Sequence, residues 1–487
     1  MRRLLAVFIG SLALSDPDNA RLLLEAQRAA FRSDGIVTAR VRIDRLDRAL
    51  DLLVTHQAEI CDAAGSDFGQ RPATLTRFMD VLPAVVALKY ARRHVSRWMR
   101  PKRQCVTLPA GAPGVRAEIM HDPLGVVGVI SPWNFPITLS FSPLAGILAA
   151  GNRCLIKPSE LTPRVSSLLQ RLVGQYFDAL EVAVVVGGPE VAEAFSRLPF
   201  DHLLFTGSAA VGRRVMTAAA ANLVPVTLEL GGKSPAVIGR SADLGRAVDR
   251  IMLHKLANAG QICLAPDYVC VPCEMVDGFV QLARAWVDRV YPSLPSNPDY
   301  SSMVSIRHAQ RMQALLADAG AKGARVVALA PGLDTRAEPS RLISPALILD
   351  VTDDMQVMQE EIFGPLLPIR PYERIEESIA DINSRPKPLA LYYFGNDRAE
   401  MCWVLGRTIS GGVTVNDIAM HFVAEELPFG GVGASGMGAY HGEHGFTRFS
   451  HARAVFYQTR LDVAGLVGLR PPYGARAQRL LKLFIRR

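Results

Sequence analysis

The chain has 487 residues, 49% apolar and 21% charged, the composition of a folded globular protein with room for two or more cores. Its net charge of +8 is a mild excess, scattered along most of the chain with no basic block interleaved with aromatics, so nucleic-acid binding is not expected. Seven cysteines, an odd number at uneven spacing in a chain too large to need stapling, point to free thiols in a reducing compartment.

Residues 1–15 open with Arg2 and Arg3 ahead of an apolar run from Leu4 to Leu14. That pattern fits a secretory signal peptide; a first packed element, or an upstream start that adds residues to the protein, fits it as well. Elsewhere no uninterrupted apolar run reaches the roughly 18 residues of a membrane span. From 22 to about 99, apolar residues recur at three- and four-residue spacing, as at Leu46, Leu50 and Leu53 and again at Val81, Val85 and Leu88. This predicts packed amphipathic helices. The stretch 104–122, broken by Gly111, Pro113 and Gly114, predicts a projecting hairpin.

A different rhythm begins at Gly125. Strands are expected at 126–130, 154–156, 182–186, 203–205 and 224–228, with helices at 139–150, 164–176 and 209–220. Such alternation is that of a parallel α/β sheet covered on both faces, which binds ligands beyond the carboxyl ends of its strands. A second alternating region, 236–416, is expected to hold an apolar helix ahead of Cys263, a strand at 268–271, helices at 276–290 and 307–317, and strands at 326–329 and 347–349. It reads as a second α/β domain that carries the thiol. Cys270-Val271-Pro272-Cys273 is a single C-x-x-C with no second pair, which favours strand packing, and no metal site is expected. The tail from 465 carries Arg470, Arg476, Arg479, Lys482, Arg486 and Arg487, no acids, and apolar Leu480, Leu481, Leu483, Phe484 and Ile485. A basic amphipathic helix of this kind suits packing over the protein, a subunit contact or a membrane surface.

Three motifs carry chemistry. Gly260-Gln261-Ile262-Cys263 presents a thiol on a turn, Glu229-Leu230-Gly231-Gly232-Lys233 a carboxylate at a strand end, and Pro132-Trp133-Asn134-Phe135-Pro136 a side-chain amide on a stiff turn. A thiolate adds to an aldehyde carbonyl, an amide N–H holds the resulting oxyanion, and a carboxylate activates the water that releases the acyl group. Alone, each has a plainer explanation: a core Cys, a strand-end Glu paired with Lys, a turn-forming Asn. The dinucleotide fingerprint G-x-G-x-x-G is absent after the first strand, and Gly207-Ser208-Ala209-Ala210-Val211-Gly212 offers only a glycine-bearing strand-to-helix turn.

In order and context the three motifs resemble the aldehyde dehydrogenase superfamily. Leu427-Pro428-Phe429-Gly430-Gly431-Val432-Gly433, continuing to Gly442, looks like its class 3 branch, and Ala29-Ala30-Phe31, Arg45-Leu46-Asp47 and Asp67-Phe68-Gly69 look closest to bacterial coniferyl aldehyde dehydrogenases. The resemblance implies an α/β fold of two parallel-sheet domains, cofactor and catalytic, plus a small bridging hairpin that joins subunits. It places the NAD(P)-binding domain at 16–103 and 123–230, the catalytic domain at 231–434, and the bridging element at 104–122 and 450–461. It implies Cys263 as nucleophile, Glu229 as general base and Asn134 as oxyanion donor. Cofactor contacts fall to Trp133, Lys157, Glu160, Gly207, Ser208, Gly212, Glu361 and Phe363. A carboxylate at Glu160 makes NAD the first choice and NADP the alternative. His441 is expected to pack rather than transfer protons. The implied reaction is oxidation of an apolar or aromatic aldehyde to its acid through a thiohemiacetal and a thioester, in a cytoplasmic homodimer. Transfer of the acyl group to coenzyme A, and a catalytically silent member of the fold, are the other readings.

Overall fold

The computed structural model describes residues 17–107, 114–330, 340–460, 463–466 and 468–485. The signal-like segment 1–15 lies outside them.

Amphipathic helices Pro17–Asp34, Ala39–Thr55, Gln57–Phe68 and Leu82–Trp98 occupy the first hundred residues, as their spacing predicts, with a π-helical turn at Arg77–Val81. A small antiparallel sheet follows, of β1 (Lys102–Gln104), β2 (Arg116–Pro123) and the late strand β16 (Ser450–Tyr457) in the order β1-β2-β16. All eight residues of β16 pair with β2, from Ser450 opposite Pro123 to Tyr457 opposite Arg116.

The first large sheet holds β3 (Val126–Ile130), β4 (Arg153–Lys157), β5 (Val182–Val184), β6 (His202–Gly207), β7 (Val226–Leu230) and β15 (Gly436–Met437) in the order β15-β7-β6-β3-β4-β5. The strands β3 to β7 are parallel and almost wholly buried, as strands covered by helices on both faces must be. From β3 the chain steps outward to β4 and β5, then returns to the other side of β3 for β6 and β7. The reversal opens a crevice at the carboxyl ends of β3 and β6, where such sheets take ligands. The helix Thr138–Ala150 beneath it is apolar on every side and buried throughout.

The second large sheet has β8 (Pro235–Ile238), β9 (Tyr268–Pro272), β10 (Arg325–Ala328), β11 (Ala346–Leu349), β12 (Leu366–Tyr372), β13 (Ala390–Phe394) and β14 (Gly412–Val415) in the order β10-β11-β12-β9-β8-β13-β14. Both sheets are therefore parallel with one antiparallel edge strand, β10 or β15, rather than parallel throughout. One core runs continuously through both, from Val127 and Ile156 to Val237 and Leu391, while the helix Pro17–Asp34 packs a separate core onto the first sheet's other face.

The apolar helix expected just ahead of Cys263 is instead the amphipathic Leu244–Leu256, which stops seven residues short of the thiol. A tight turn intervenes in which Asn258 and Ala259 take positive φ of 48° and 52°. The tail forms the helix Ala475–Ile485, with Ala477 buried but Leu481, Leu483, Phe484 and Ile485 exposed on this single chain. No helix among the described residues is long and apolar enough to cross a membrane, and no group of His, Cys, Asp and Glu among them has the arrangement of a metal site.

Candidate active site

The turn after β3 touches the thiol turn ahead of β9, through Asn134 and Gln261, and Gly231 after β7 touches Glu361 in the loop ahead of β12, so the carboxyl edge of the first sheet meets the amino side of the second along a seam. Asn134 follows β3, Lys157 ends β4, Gly207 ends β6 with Ser208 next to it, and Glu229 sits on β7; Cys263 lies in the loop ahead of β9 and Glu361 in the loop ahead of β12.

Cys263 is partly exposed on the turn after Gly260. Gly260 has a φ of 72°, and a Cβ there would overlap the Gly364 carbonyl, so this turn accepts no other residue without strain. Gln261, fully buried, holds the turn from inside: its Nε2 donates to Asn258 O at 2.8 Å and Ser302 O at 3.1 Å, and its Oε1 accepts from Val304 N at 2.9 Å. Downstream, Tyr392 Oη donates to Leu264 O at 2.6 Å. Desolvation, with the charges of Glu361 and Glu229, pushes the Cys263 thiol up to about 12.

Glu229 is buried, and both its carboxylate oxygens lack a hydrogen-bond partner. Desolvation raises it well above the usual carboxylate range, opposed in part by Arg448. A carboxylate buried for structural reasons is normally hydrogen-bonded, so an unpartnered one beside a thiol suits a proton acceptor. The Tyr440 hydroxyl, also buried without a partner, feels the charges of both Glu229 and Cys263. His441 packs against Phe422, Phe429 and Tyr440 at 4.9, 5.1 and 5.0 Å, and burial lowers its imidazole to about 3.

Asn134 is buried, and its Nδ2 donates to Gln261 O at 3.2 Å, two residues before the thiol. A carboxamide has two N–H donors, so one serves the thiol turn and the other is available to a carbonyl oxygen. Beside it Trp133 meets Phe363 and His308 edge-on at 5.4 and 5.1 Å. All three are partly exposed, and together they form an aromatic wall next to the amide.

Glu361 lies against Gly231, where a Cβ would overlap its carboxylate, and desolvation together with the Asp267 charge raises it to about 8. Its loop is tied down from two sides: Arg311 donates to the Glu361 and Ile362 carbonyls at 2.6 Å each, and Asp267, ion-paired to buried Lys233, accepts from Ile362 N at 3.0 Å. At the far end of the seam, Lys157 Nζ donates to Pro158 O at 2.9 Å and reaches Glu160 at 3.5 Å. Ser208 caps the helix Ala209–Ala220, accepting from Val211 N, and Gly212 is buried in its first turn. A helix N-terminus, a buried amine and a half-exposed carboxylate fit the pyrophosphate and ribose hydroxyls of a dinucleotide.

Sequence reading assigned no role to Arg71, Asp80, Asp267 or His308. Asp267, like Gln261, stands in the segment around Cys263, whereas Arg71, Asp80 and His308 come from distant segments whose local sequence carries no functional signature.

Comparison with protein families matches residues 6–455 to the aldehyde dehydrogenase family. A protein of Caulobacter vibrioides named "Probable coniferyl aldehyde dehydrogenase" is 54% identical over 462 residues, 94% of this chain and 95% of its own. The coniferyl aldehyde dehydrogenase of a Pseudomonas species is 49% identical over 463 residues, 95% of each chain. Among solved structures, the substrate-bound state of Staphylococcus aureus AldH superposes with a TM-score of 0.88 at 36% identity, covering 95% of this chain and 99% of its own. A Mycobacterium tuberculosis aldehyde dehydrogenase complexed with NAD+ gives 0.81 at 28% identity over 91% of each chain.

Proposed function

The chain belongs to the aldehyde dehydrogenase family, and from that premise we propose that it oxidises an apolar or aromatic aldehyde, of the coniferyl aldehyde kind, to the free carboxylic acid. The observation that carries this reading is Glu229: a buried carboxylate with no partner, close enough to Cys263 to raise its pKa.

The thiol of Cys263 gives up its proton, directly or by way of Glu229, to solvent, which leaves Glu229 unprotonated, and the sulfur forms a bond to the aldehyde carbon. The resulting oxyanion is held by Asn134 Nδ2 and the backbone N–H of Cys263. A nicotinamide cofactor, NAD before NADP, supplies the hydride acceptor, and the carbon left on sulfur is a thioester. Lys157, Glu160, Gly207, Ser208 and Gly212 would hold the cofactor's adenosine and pyrophosphate end, and Glu361, Trp133 and Phe363 its nicotinamide end. Glu229 then takes a proton from water, whose oxygen bonds to the thioester carbon. The C–S bond breaks, the acid leaves, and the thiolate returns. The aromatic wall of Trp133, Phe363 and His308 favours a planar apolar substrate. The coniferyl aldehyde dehydrogenase named among the relatives supports the same class.

We further assign a homodimer joined through the β1-β2-β16 sheet, in the cytoplasm, which suits seven free cysteines.

Aldehyde and NAD, without coenzyme A, should yield NADH, most rapidly with aromatic aldehydes, and Cys263→Ala should abolish the signal. A strict requirement for coenzyme A would replace hydrolysis by acyl transfer. No NADH from folded protein with either cofactor, across aliphatic and aromatic aldehydes, would sink the dehydrogenase reading.

A further inference from the structure

Beneath the Trp133-Asn134-Phe135 turn lies a charged pair that no step above uses. Arg71 follows the helix Gln57–Phe68, Asp80 sits in the π-helical turn Arg77–Val81, and both side chains are fully buried, with Arg71 Nη2 3.5 Å from Asp80 Oδ2. Arg71 Nη1 donates to the main-chain oxygen of Asn134 at 2.7 Å. Its guanidinium lies over Phe68 at 4.6 Å and Phe135 at 5.2 Å, so the plane is gripped on two aromatic surfaces. Asp80 works on the other flank of the same turn. Its Oδ1 accepts from Ile137 N at 3.0 Å and Thr138 N at 2.7 Å, and its main-chain oxygen accepts from Thr138 Oγ1 at 2.7 Å.

A pair buried this deeply carries a large desolvation penalty on each ion and is often replaceable by apolar residues without loss of stability. Here it is also incompletely bonded, since Arg71 Nε and Nη2 and Asp80 Oδ2 have no hydrogen-bond partner. Stability alone therefore gives a poor account of it, whereas position gives a good one. The two residues clamp the turn on both sides of a single side chain, the amide of Asn134, and a displacement of about 1 Å at such a group is enough to cost a hundredfold in rate. π-helical turns of the kind that carries Asp80 recur at functional positions.

We propose that Arg71 and Asp80 are positioning residues for the aldehyde oxidation, acting through Asn134: they hold its carboxamide so that one N–H stays on Gln261 O and the other faces the reacting carbonyl oxygen. The proposal rests on Asn134 being the oxyanion donor.

The test is a cycle of four proteins: wild type, Asn134→Ala, the double variant Arg71→Met/Asp80→Asn, and the triple combination. Removing both charges avoids stranding one of them in the core. The double variant should lower kcat about 10- to 100-fold, no more than the roughly hundredfold or greater loss that follows removal of an oxyanion donor, with the Kd for NAD and the KM for aldehyde little changed. In the Asn134→Ala background the same change should cost nothing further, because the group it positions is gone. Arg71→Lys, which keeps the charge pair and one donor but loses the planar stack, should fall between wild type and the double variant, and it provides the measurement if the double variant does not fold. A double variant or Arg71→Lys with wild-type kcat, or an equal loss in both backgrounds, overturns the proposal while leaving Asn134 as oxyanion donor. Undiminished kcat in Asn134→Ala overturns the oxyanion assignment, and the proposal with it.

Discussion

At Glu229 stability and chemistry pull in opposite directions, because the burial that frees its oxygens from competing partners also disfavours the charge it needs as a base. Its folded pKa is raised above the ordinary carboxylate range. The stability it contributes is therefore fully present below that range and is lost as pH rises toward the raised value. Glu229→Gln removes the penalty. Its thermal midpoint should exceed that of wild type at about pH 8, by an amount equivalent to about 1–3 kcal/mol, and match it at about pH 5; a difference that grows toward low pH would contradict the sign. The same variant should lose deacylation, leaving a burst of NADH without turnover. Because both Glu229 and Cys263 are raised, kcat/KM in wild type should climb with pH through the neutral and alkaline range, as a pH–rate profile would reveal.

Two helices at the seam begin on carboxylates borrowed from elsewhere. The helix Pro163–Tyr176 has no cap from its own Thr162; Asp67 supplies it, accepting from Arg164 N at 3.1 Å and Val165 N at 2.9 Å. Asp80 does the same for Thr138–Ala150. Asp67→Ala should cost about 1 kcal/mol, as loss of a cap does, and should lower the thermal midpoint without changing KM for aldehyde. An unchanged midpoint would mean that water replaces the carboxylate. Element types were readable where the pattern is local: the helices 209–220 and 276–290 begin and end where their periodicity does. They were less readable at 366–394, where β12 and β13 are short and largely buried runs that sequence alone does not separate from buried helix. The left-handed pair Asn258 and Ala259 was not readable either, since Ala in that conformation is imposed by its surroundings.

Among the described residues, the small β1-β2-β16 sheet is the most exposed of the three sheets, with Phe456 and Tyr457 exposed on β16. An edge strand with one side paired to β2, the other side open and an exposed apolar end is a surface that proteins usually cover. If the proposed homodimer forms there, Phe456→Asp should shift the mass in solution from twice 52.9 kDa toward a single chain. Light scattering that still shows a dimer would place the interface elsewhere.

The motifs of the candidate site stand out in the linear chain, because the thiol and the amide lie in turns and the carboxylate at a strand end, each flanked by glycine or proline; the positive φ of Gly260 is one such local requirement. The alternation of strand and helix was legible for a similar reason, since each period is a property of neighbouring residues. Only the folded chain decided what surrounds those groups. Arg71 reaches Asn134 across 63 residues, Asp80 reaches Thr138 across 58, and Asp267 reaches Ile362 across 95. Contacts at such separations are set by how helices and two sheets pack into one continuous core, and no local propensity encodes which buried charge will meet which turn.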